Sequence, residues 1–376
     1  MKEWKTCKVK DLAIMKNGKK RPNTVGHYPV YGGNGIMDYC NTYNNENTII
    51  IGRVGAYCGN VFYCKDKCWV SDNAIALCAN CDNNIKYLYY LLASLDLHHN
   101  HIGGAQPLMT QDIIGNFDVC VPDLETQIQI ANILSSIDKK IELNRQINDN
   151  LEQQAQALYK SWFVDFEPFK DGCFVESELG LIPVGWKVVE LGEVTKQITE
   201  KVKNRTGVKV LSPVTTGELV LSEEYFTKQV FSESIAKYIT VKPLQFAYNP
   251  ARVNIGSLGM NTFEFDGCVS PVYVVFECER DYQYFFDYLR KTEAFKDEVL
   301  ARAIGGVRQS LSYKDFSLIK LIYPPRTIVE KFNRLYSNIL VSINHNKVEA
   351  NNLTDMRDTL LPKLMSGELK INEIDC

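Results

Sequence analysis

Along two stretches of this chain, apolar residues recur in alternating steps of four and three, the spacing that lays one stripe along an α-helix. The first stripe runs through Ile130, Leu134, Ile137, Ile141, Asn144, Asn148, Leu151, Ala155, Leu158 and Trp162. The second holds Phe332, Tyr336, Ile339, Ile343, Asn346, Ala350, Leu353, Arg357, Leu360 and Leu364, each 202 residues further on. This pattern predicts two long helices, one opened by Asp123 as a capping residue after Pro122, with seams of the coiled-coil type. The seam candidates are Ile137, Ile141, Asn144, Leu151 and Leu158 on one helix and Ile339, Ile343, Asn346, Leu353 and Leu360 on the other. Asn144 and Asn346 fall at matching places, where a polar residue lowers stability but fixes register. Arg357 is the one charged intruder. Two amphipathic helices lying on separate cores would be the plainer alternative.

The segments that precede the helices also repeat. Ile102-Gly103-Gly104 to Val121-Pro122 returns as Ile304-Gly305-Gly306 to Tyr323-Pro324 at the same offset of 202. Each segment opens with a similar phrase, Trp4-Lys5 and Trp186-Lys187, followed by a short helix start. Strand-like runs follow at residues 47–55 and 246–256, each with an Arg-Val pair closely followed by glycine, and then helices at about 84–97 and 281–301. The expected fold class is α+β. Its parts are a globular domain over residues 1–122, a long helix in 123–165, a second globular domain over 166–324, and a helix with a tail in 325–376.

Chain geometry gives the direction of pairing. The first helix would be ~57 Å long at 1.5 Å per residue. A compact domain over 166–324 has a radius of gyration near ~15 Å, so the second helix must start near the end of the first. Paired helices would then be antiparallel, with two mixed α/β domains at opposite ends of a two-helix coiled coil.

Composition narrows the class. The chain has 376 residues, 45% of them hydrophobic and 23% charged, with a net charge of −3. No run of apolar residues suits a membrane span, and no secretory signal follows Met1, so a cytoplasmic location is expected. The twelve cysteines are then expected to be reduced thiols. Cys64, Cys68, Cys78 and Cys81 have spacings that could ligate zinc, although Cys64 and Cys78 lie in strand-like runs where cysteine acts as a small buried hydrophobe. Near-neutral charge is unusual for a protein that binds DNA alone, because counterion release supplies most of that affinity. A DNA binder of this composition needs partners.

Candidate contacts to nucleic acid lie in loops. Lys19, Lys20 and Arg21 near Gly18 and Pro22, and Lys201, Lys203 and Arg205 in the second domain, are phosphate candidates, and Lys314 is a further DNA-binding candidate. Arg53, Arg252, and Arg308 with Gln309 can make bidentate contacts to base edges, as can the amides of Asn34, Asn73, Gln106, Gln111 and Asn254, with Thr110 as a hydroxyl partner. A structural ion pair or turn is the competing role for the arginines.

Enzyme chemistry is not indicated. No GxGxxG or GxxxxGK loop occurs. Tyr248-Asn249-Pro250-Ala251 lacks the second proline of an amino-methyltransferase motif, and Tyr323-Pro324-Pro325 lacks its amide. His98, His99 and His101 cluster at a predicted helix end, which suits capping or solvation.

The chain resembles the specificity subunits of type I restriction-modification systems over nearly its whole length. The most specific residues are Leu158-Tyr159-Lys160-Ser161-Trp162-Phe163-Val164-Asp165-Phe166, then Leu360-Leu361-Pro362-Lys363-Leu364-Met365-Ser366-Gly367-Glu368-Leu369, and the twin Gly-Gly loops. The resemblance implies two target-recognition domains that each read one half of a split sequence in double-stranded DNA, separated by helices that set the spacing. It implies a non-catalytic adaptor that docks two methyltransferase subunits and restriction (motor) subunits. S-adenosylmethionine, ATP and Mg would belong to those partners, with no cofactor in this chain. The competing readings are a free-standing DNA methyltransferase or nuclease and a coiled-coil scaffold that does not bind DNA.

Overall fold

A computed structural model describes residues 4–103, 107–226, 232, 234–303 and 310–369. The chain forms two compact units, Met1–Ile147 with Asn344–Cys376, and Asn148–Ile343. Both are mixed α+β.

In the first unit, four antiparallel strands pair in the order Ala13–Asn17, Ala74–Ala79, Thr48–Gly52 and Val61–Cys64. Thr48–Gly52 is buried along its whole length, and its side chains alternate between two cores. Ile49 and Ile51 face the larger core with Ile75, Leu77 and the helix Ile85–Ser94. Ile50 faces a smaller one made with Cys64, Cys68, Val70, Ala74 and Ala76. A three-stranded sheet, Gly35–Cys40, Tyr28–Gly32 and Trp69–Val70, lies beside it. The helix starts at Asn84, whose side chain accepts from Tyr87 N at 3.0 Å. It ends at Ser94, earlier than its apolar spacing predicts.

The second unit repeats this plan. Thr195–Ile198, Val274–Cys278, Phe246–Tyr248 and Leu258–Met260 pair antiparallel in the same relative order. In the neighbouring sheets, Tyr28–Gly32 pairs parallel with Trp69–Val70, and Lys209–Pro213 pairs parallel with Gly267–Val269. Lys5–Lys8 pairs with Asp118–Val121, as Lys187–Glu190 pairs with Lys320–Tyr323. Individual bonds recur too: Val9 N donates to Phe117 O (3.1 Å), and Leu191 N to Ile319 O (2.8 Å). The helix expected at 281–301 is two helices, Gln283–Leu289 and Glu293–Arg302. Thr292 breaks it, because its side chain caps the second helix by accepting from Phe295 N at 3.3 Å.

The long helices are Leu124–Phe163 and Arg326–Ser366. Asp123 caps the first by accepting from Thr126 N at 2.9 Å. Within the first unit, Arg357 Nη1 meets Asp138 Oδ1 (2.9 Å) and Asn144 Nδ2 donates to Glu349 Oε2 (2.7 Å). Within the second, Asn148 Nδ2 donates to Ile343 O (3.3 Å) and the Tyr159 and Phe332 rings lie 6.1 Å apart. In each unit, numbers rise along one helix as they fall along the other, so the local pairing is antiparallel.

The buried stripe follows heptad spacing through Ile130, Leu134, Ile137, Ile141 and Asn144. It then steps by four through Ala155, Tyr159 and Phe163, leaving Leu151, Leu158 and Trp162 half-buried. A helix with 3.6 residues per turn drifts from a 3.5-residue repeat, and in the second unit the drift turns Tyr159 and Phe163 into an aromatic core with Phe285, Tyr288 and Phe332. On the second helix Ile343 is buried, while Ile339, Asn346, Leu353 and Leu360 are half-buried.

Cys64 and Cys68 fill the small core of the first unit, and Cys81 is exposed. Cys78 Sγ lies 3.7 Å from Thr48 Oγ1. Hydrogen bonding from Cys68 holds the Cys64 thiol down, to about 6, against the opposing effect of burial. Among the described residues no three His, Cys, Asp or Glu side chains converge as a metal site would require.

Candidate nucleic-acid interface

In the first unit, four loops meet at one end of the sheets. The hairpin turn at Gly33 and Asn34 packs against Gly52, where a Cβ would fall 2.2 Å from Tyr57 O and 2.9 Å from Gly33 O. Only glycine permits that approach. Arg53 follows, its N–H donating to Asn73 O (2.9 Å) and its carbonyl accepting from Met109 N (2.8 Å). Gly55 N donates to Pro107 O (3.0 Å), and Ile102 pairs with Leu108. Asn34, Arg53, Asn73 and the segment leading to Thr110 are therefore neighbours.

The chemistry of this rim suits base edges. Asn34 and Asn73 are exposed amides. Arg53 is half-buried and held by its backbone on both sides, and its Nε is buried with no hydrogen-bond partner among the described residues. Lys19 joins the same end, since its N–H donates to Val70 O (3.0 Å) and it bridges to Ser71. Lys20 is exposed beside it, whereas Arg21 pairs with Asp38 at 3.0 Å. The Thr110 hydroxyl serves the local structure, capping Gln111–Gly115 by accepting from Ile113 N at 3.2 Å. The Gln111 amide lies 2.9 Å from Asn17 Oδ1, on the first strand of the sheet.

The second unit builds the same rim with different side chains. Leu311 N donates to Pro250 O (3.1 Å), the counterpart of the bond from Met109 N to Arg53 O. Pro250 thus holds the backbone place of Arg53. Arg252, two residues later, is exposed and precedes the 3-10 turn Val253–Ile255, which contains half-buried Asn254. The matching Arg-Val pairs in the sequence are offset by two residues in the fold. Tyr273 N donates to Ser270 O (2.9 Å) as Ala74 N does to Ser71 O (3.0 Å), so Val272 stands where Asn73 stands. Gly256, at φ 95°, approaches Thr215, because a Cβ there would lie 2.7 Å from Thr215 O.

Lys201 and Lys203 are exposed, and Lys203 adopts a left-handed φ of 55°. Arg205 is tied to Glu200 and lies 3.7 Å from Asp266. Lys314 is exposed on the short helix Tyr313–Phe316, which Ser312 caps by accepting from Asp315 N at 3.2 Å. Gln106, Arg308 and Gln309, with Gly104, Ile304, Gly305 and Gly306 of the repeated loops, lie outside the described residues.

The other sequence motifs have structural roles. Asn249 accepts from Ala251 N (3.0 Å) in a local turn, and Tyr248 is buried and donates to Leu311 O (3.3 Å). His98 Nδ1 lies 2.9 Å from Cys58 O, and His99 Nδ1 2.7 Å from Asp96. Exposed Tyr57, Ile255 and Val272 also stand on the rims, though none is among the candidates drawn from the sequence. Their one sequence mark is a turn-forming Gly or Pro within two residues: Gly55 and Gly59 around Tyr57, Gly256 after Ile255, and Pro271 before Val272.

Residues 1–153 match the family model of the type I restriction modification DNA specificity domain. The chain is 27% identical over 306 residues to the type I restriction enzyme MjaIX specificity subunit of Methanocaldococcus jannaschii, covering 77% of this chain and 70% of that one. It is 24% identical over 333 residues to the type I restriction enzyme HindI specificity subunit of Haemophilus influenzae, covering 71% and 72% respectively. The crystal structure of a type I restriction-modification S subunit from M. genitalium shares the fold, with a TM-score of 0.65 over 97% of this chain and 96% of that one at 16% identity.

Proposed function

The chain belongs to the family of type I restriction-modification specificity subunits, and we propose that it reads a bipartite DNA sequence, one half with each globular domain. It is a recognition subunit and not an enzyme. The observation that carries the two-part reading is the repeated rim: one strand order and one set of converging loops, built twice with different side chains. Asn34, Arg53 and Asn73 in the first rim and Arg252 in the second carry groups that address base edges, while Lys19, Lys20, Lys201 and Lys203 suit phosphates.

In this reading residues 1–122 and 166–324 are target-recognition domains, and the helices in 123–165 and 325–376 set the distance between half-sites as an antiparallel coiled coil with a domain at each end. Helices of 40 and 41 residues are ~60 Å long, enough to span grooves separated by one turn of B-DNA, ~34–36 Å. A net charge of −3 leaves much of the affinity for the phosphate backbone to partners. Those partners are two methyltransferase subunits, which carry S-adenosylmethionine, and restriction subunits, which use ATP and Mg, all in the cytoplasm.

The test assembles the chain with its methyltransferase subunits and selects bound duplexes from a random pool. The expected outcome is two short defined segments separated by a fixed gap of unspecified bases. A single contiguous target contradicts the reading. Equal affinity for every duplex favours the scaffold, and tight S-adenosylmethionine binding by the isolated chain favours a free-standing methyltransferase.

A further inference from the structure

We infer that the second unit recognises thymine through its 5-methyl group, with Val272 and Ile255 as the contacting side chains. The inference rests on the DNA-reading function proposed above and adds the base class read by one domain.

It starts from the equivalence of the two rims. At matching turns, the first unit carries Arg53 and Asn73, and the second carries Pro250 and Val272. Tyr57 in the first 3-10 turn is answered by Ile255 in the second. A guanidinium and an amide, suited to the hydrogen-bonding edges of guanine and adenine, are thus replaced by a pyrrolidine ring and an aliphatic side chain that can form no such bond.

Exposure gives the second observation. Val272 is 69% exposed and Ile255 56% exposed, both on turns at the same end of the sheets. Single exposed apolar residues are ordinary on a protein surface, but Val272 occupies the place that in the first unit bears the base-reading amide of Asn73, and Ile255 the place of exposed Tyr57 on the same rim. In the major groove the 5-methyl of thymine is the apolar feature that distinguishes one base pair from the others. Removing that methyl and an aliphatic side chain from water together is favourable, and no hydrogen-bonding group has to be desolvated in exchange. Arg252, exposed at the start of the same 3-10 turn, can hold the adjoining phosphate or a guanine.

The experiment uses the full chain assembled with its methyltransferase subunits, on its own selected target. The half-site read by the second unit is the one that persists when residues 1–122 are exchanged for those of a relative. In that half each thymine is replaced in turn by uracil, which lacks only the methyl. Affinity is expected to fall roughly fourfold at each contacted position, from the loss of one buried methyl. Val272→Ser is expected to weaken the thymine duplex and remove the difference between thymine and uracil at one position. Equal affinity for thymine and uracil duplexes overturns the inference while the target is still bound specifically, as does a half-site without thymine. Loss of the methyltransferase subunits from Val272→Ser also overturns it, by marking a docking face. A complex with no preference among duplexes refutes instead the DNA-reading function on which it rests.

Discussion

Arg357 Nη1 lies 2.9 Å from Asp138 Oδ1, and the other oxygen of Asp138 accepts from Tyr90 OH at 2.5 Å. The charged intruder in an apolar stripe is thereby explained. Arg357 joins the second long helix to the first, and Tyr90 joins both to the helix Ile85–Ser94 of the first unit.

Because this network is partly buried, Arg357→Ala is expected to destabilise the first unit by about 1–2 kcal/mol. Denaturant unfolding of Arg357→Ala, Tyr90→Phe and the double variant checks it. The two losses should not add, since both act through Asp138; simple additivity would show that the residues are independent.

Asp287 supplies a pH dependence in the second unit. Burial pushes its carboxyl up, but Arg290 and Lys291, at 2.5 and 2.9 Å, outweigh burial and hold it below its ordinary 3.8. A carboxyl lowered on folding stabilises fully above its unfolded value and loses that contribution as pH falls through the folded one. Unfolding between about pH 2 and 5 should therefore steepen below 3.8 in the natural chain and lose that part of the slope in Asp287→Ala. The variant should cost about 3–5 kcal/mol near neutrality, because it leaves Arg290 buried without its carboxylate. An unchanged acid limb would refute the assignment.

Asn144 is buried, donates to Glu349, and leaves its Oδ1 without a hydrogen-bond partner among the described residues. Lys140 lies 3.2 Å from the same carboxylate. If these contacts fix helix register, one added turn beside Asn144, matched by one beside Asn346, lengthens both helices by ~5.4 Å. The gap between half-sites should widen by about one to two base pairs of ~3.4 Å each. Adding the turn to one helix alone should disrupt the Lys140, Asn144 and Glu349 cluster and lower the melting temperature. Methylation mapping reads the gap, and an unchanged gap would contradict the spacer role.

Periodicity exposed most of the architecture. The stripes from Ile130 and Phe332 marked both long helices, because a buried face repeating every 3.6 residues leaves a mark over forty positions. The fully buried run Thr48–Gly52 read as a strand because β-branched residues filled both of its faces. The break at Thr292 was hidden, since a capping side chain acts over three residues inside an otherwise helical pattern. The rims were only half legible. Arg53 and Asn73 were picked out by their chemistry, but the pairing of Pro250 with Arg53 depends on a backbone bond from Leu311, 61 residues away in sequence. Val272 escaped notice because an exposed valine looks like any other until its turn is matched to that of Asn73.

The central claim is that two separate domains read two separate half-sites. Exchanging residues 1–122 for those of a relative with a different target, then mapping methylated adenines in a host carrying the partner subunits, tests it most directly. The account predicts that one half of the recognised sequence changes while the other half and the gap persist. A change in both halves would contradict it.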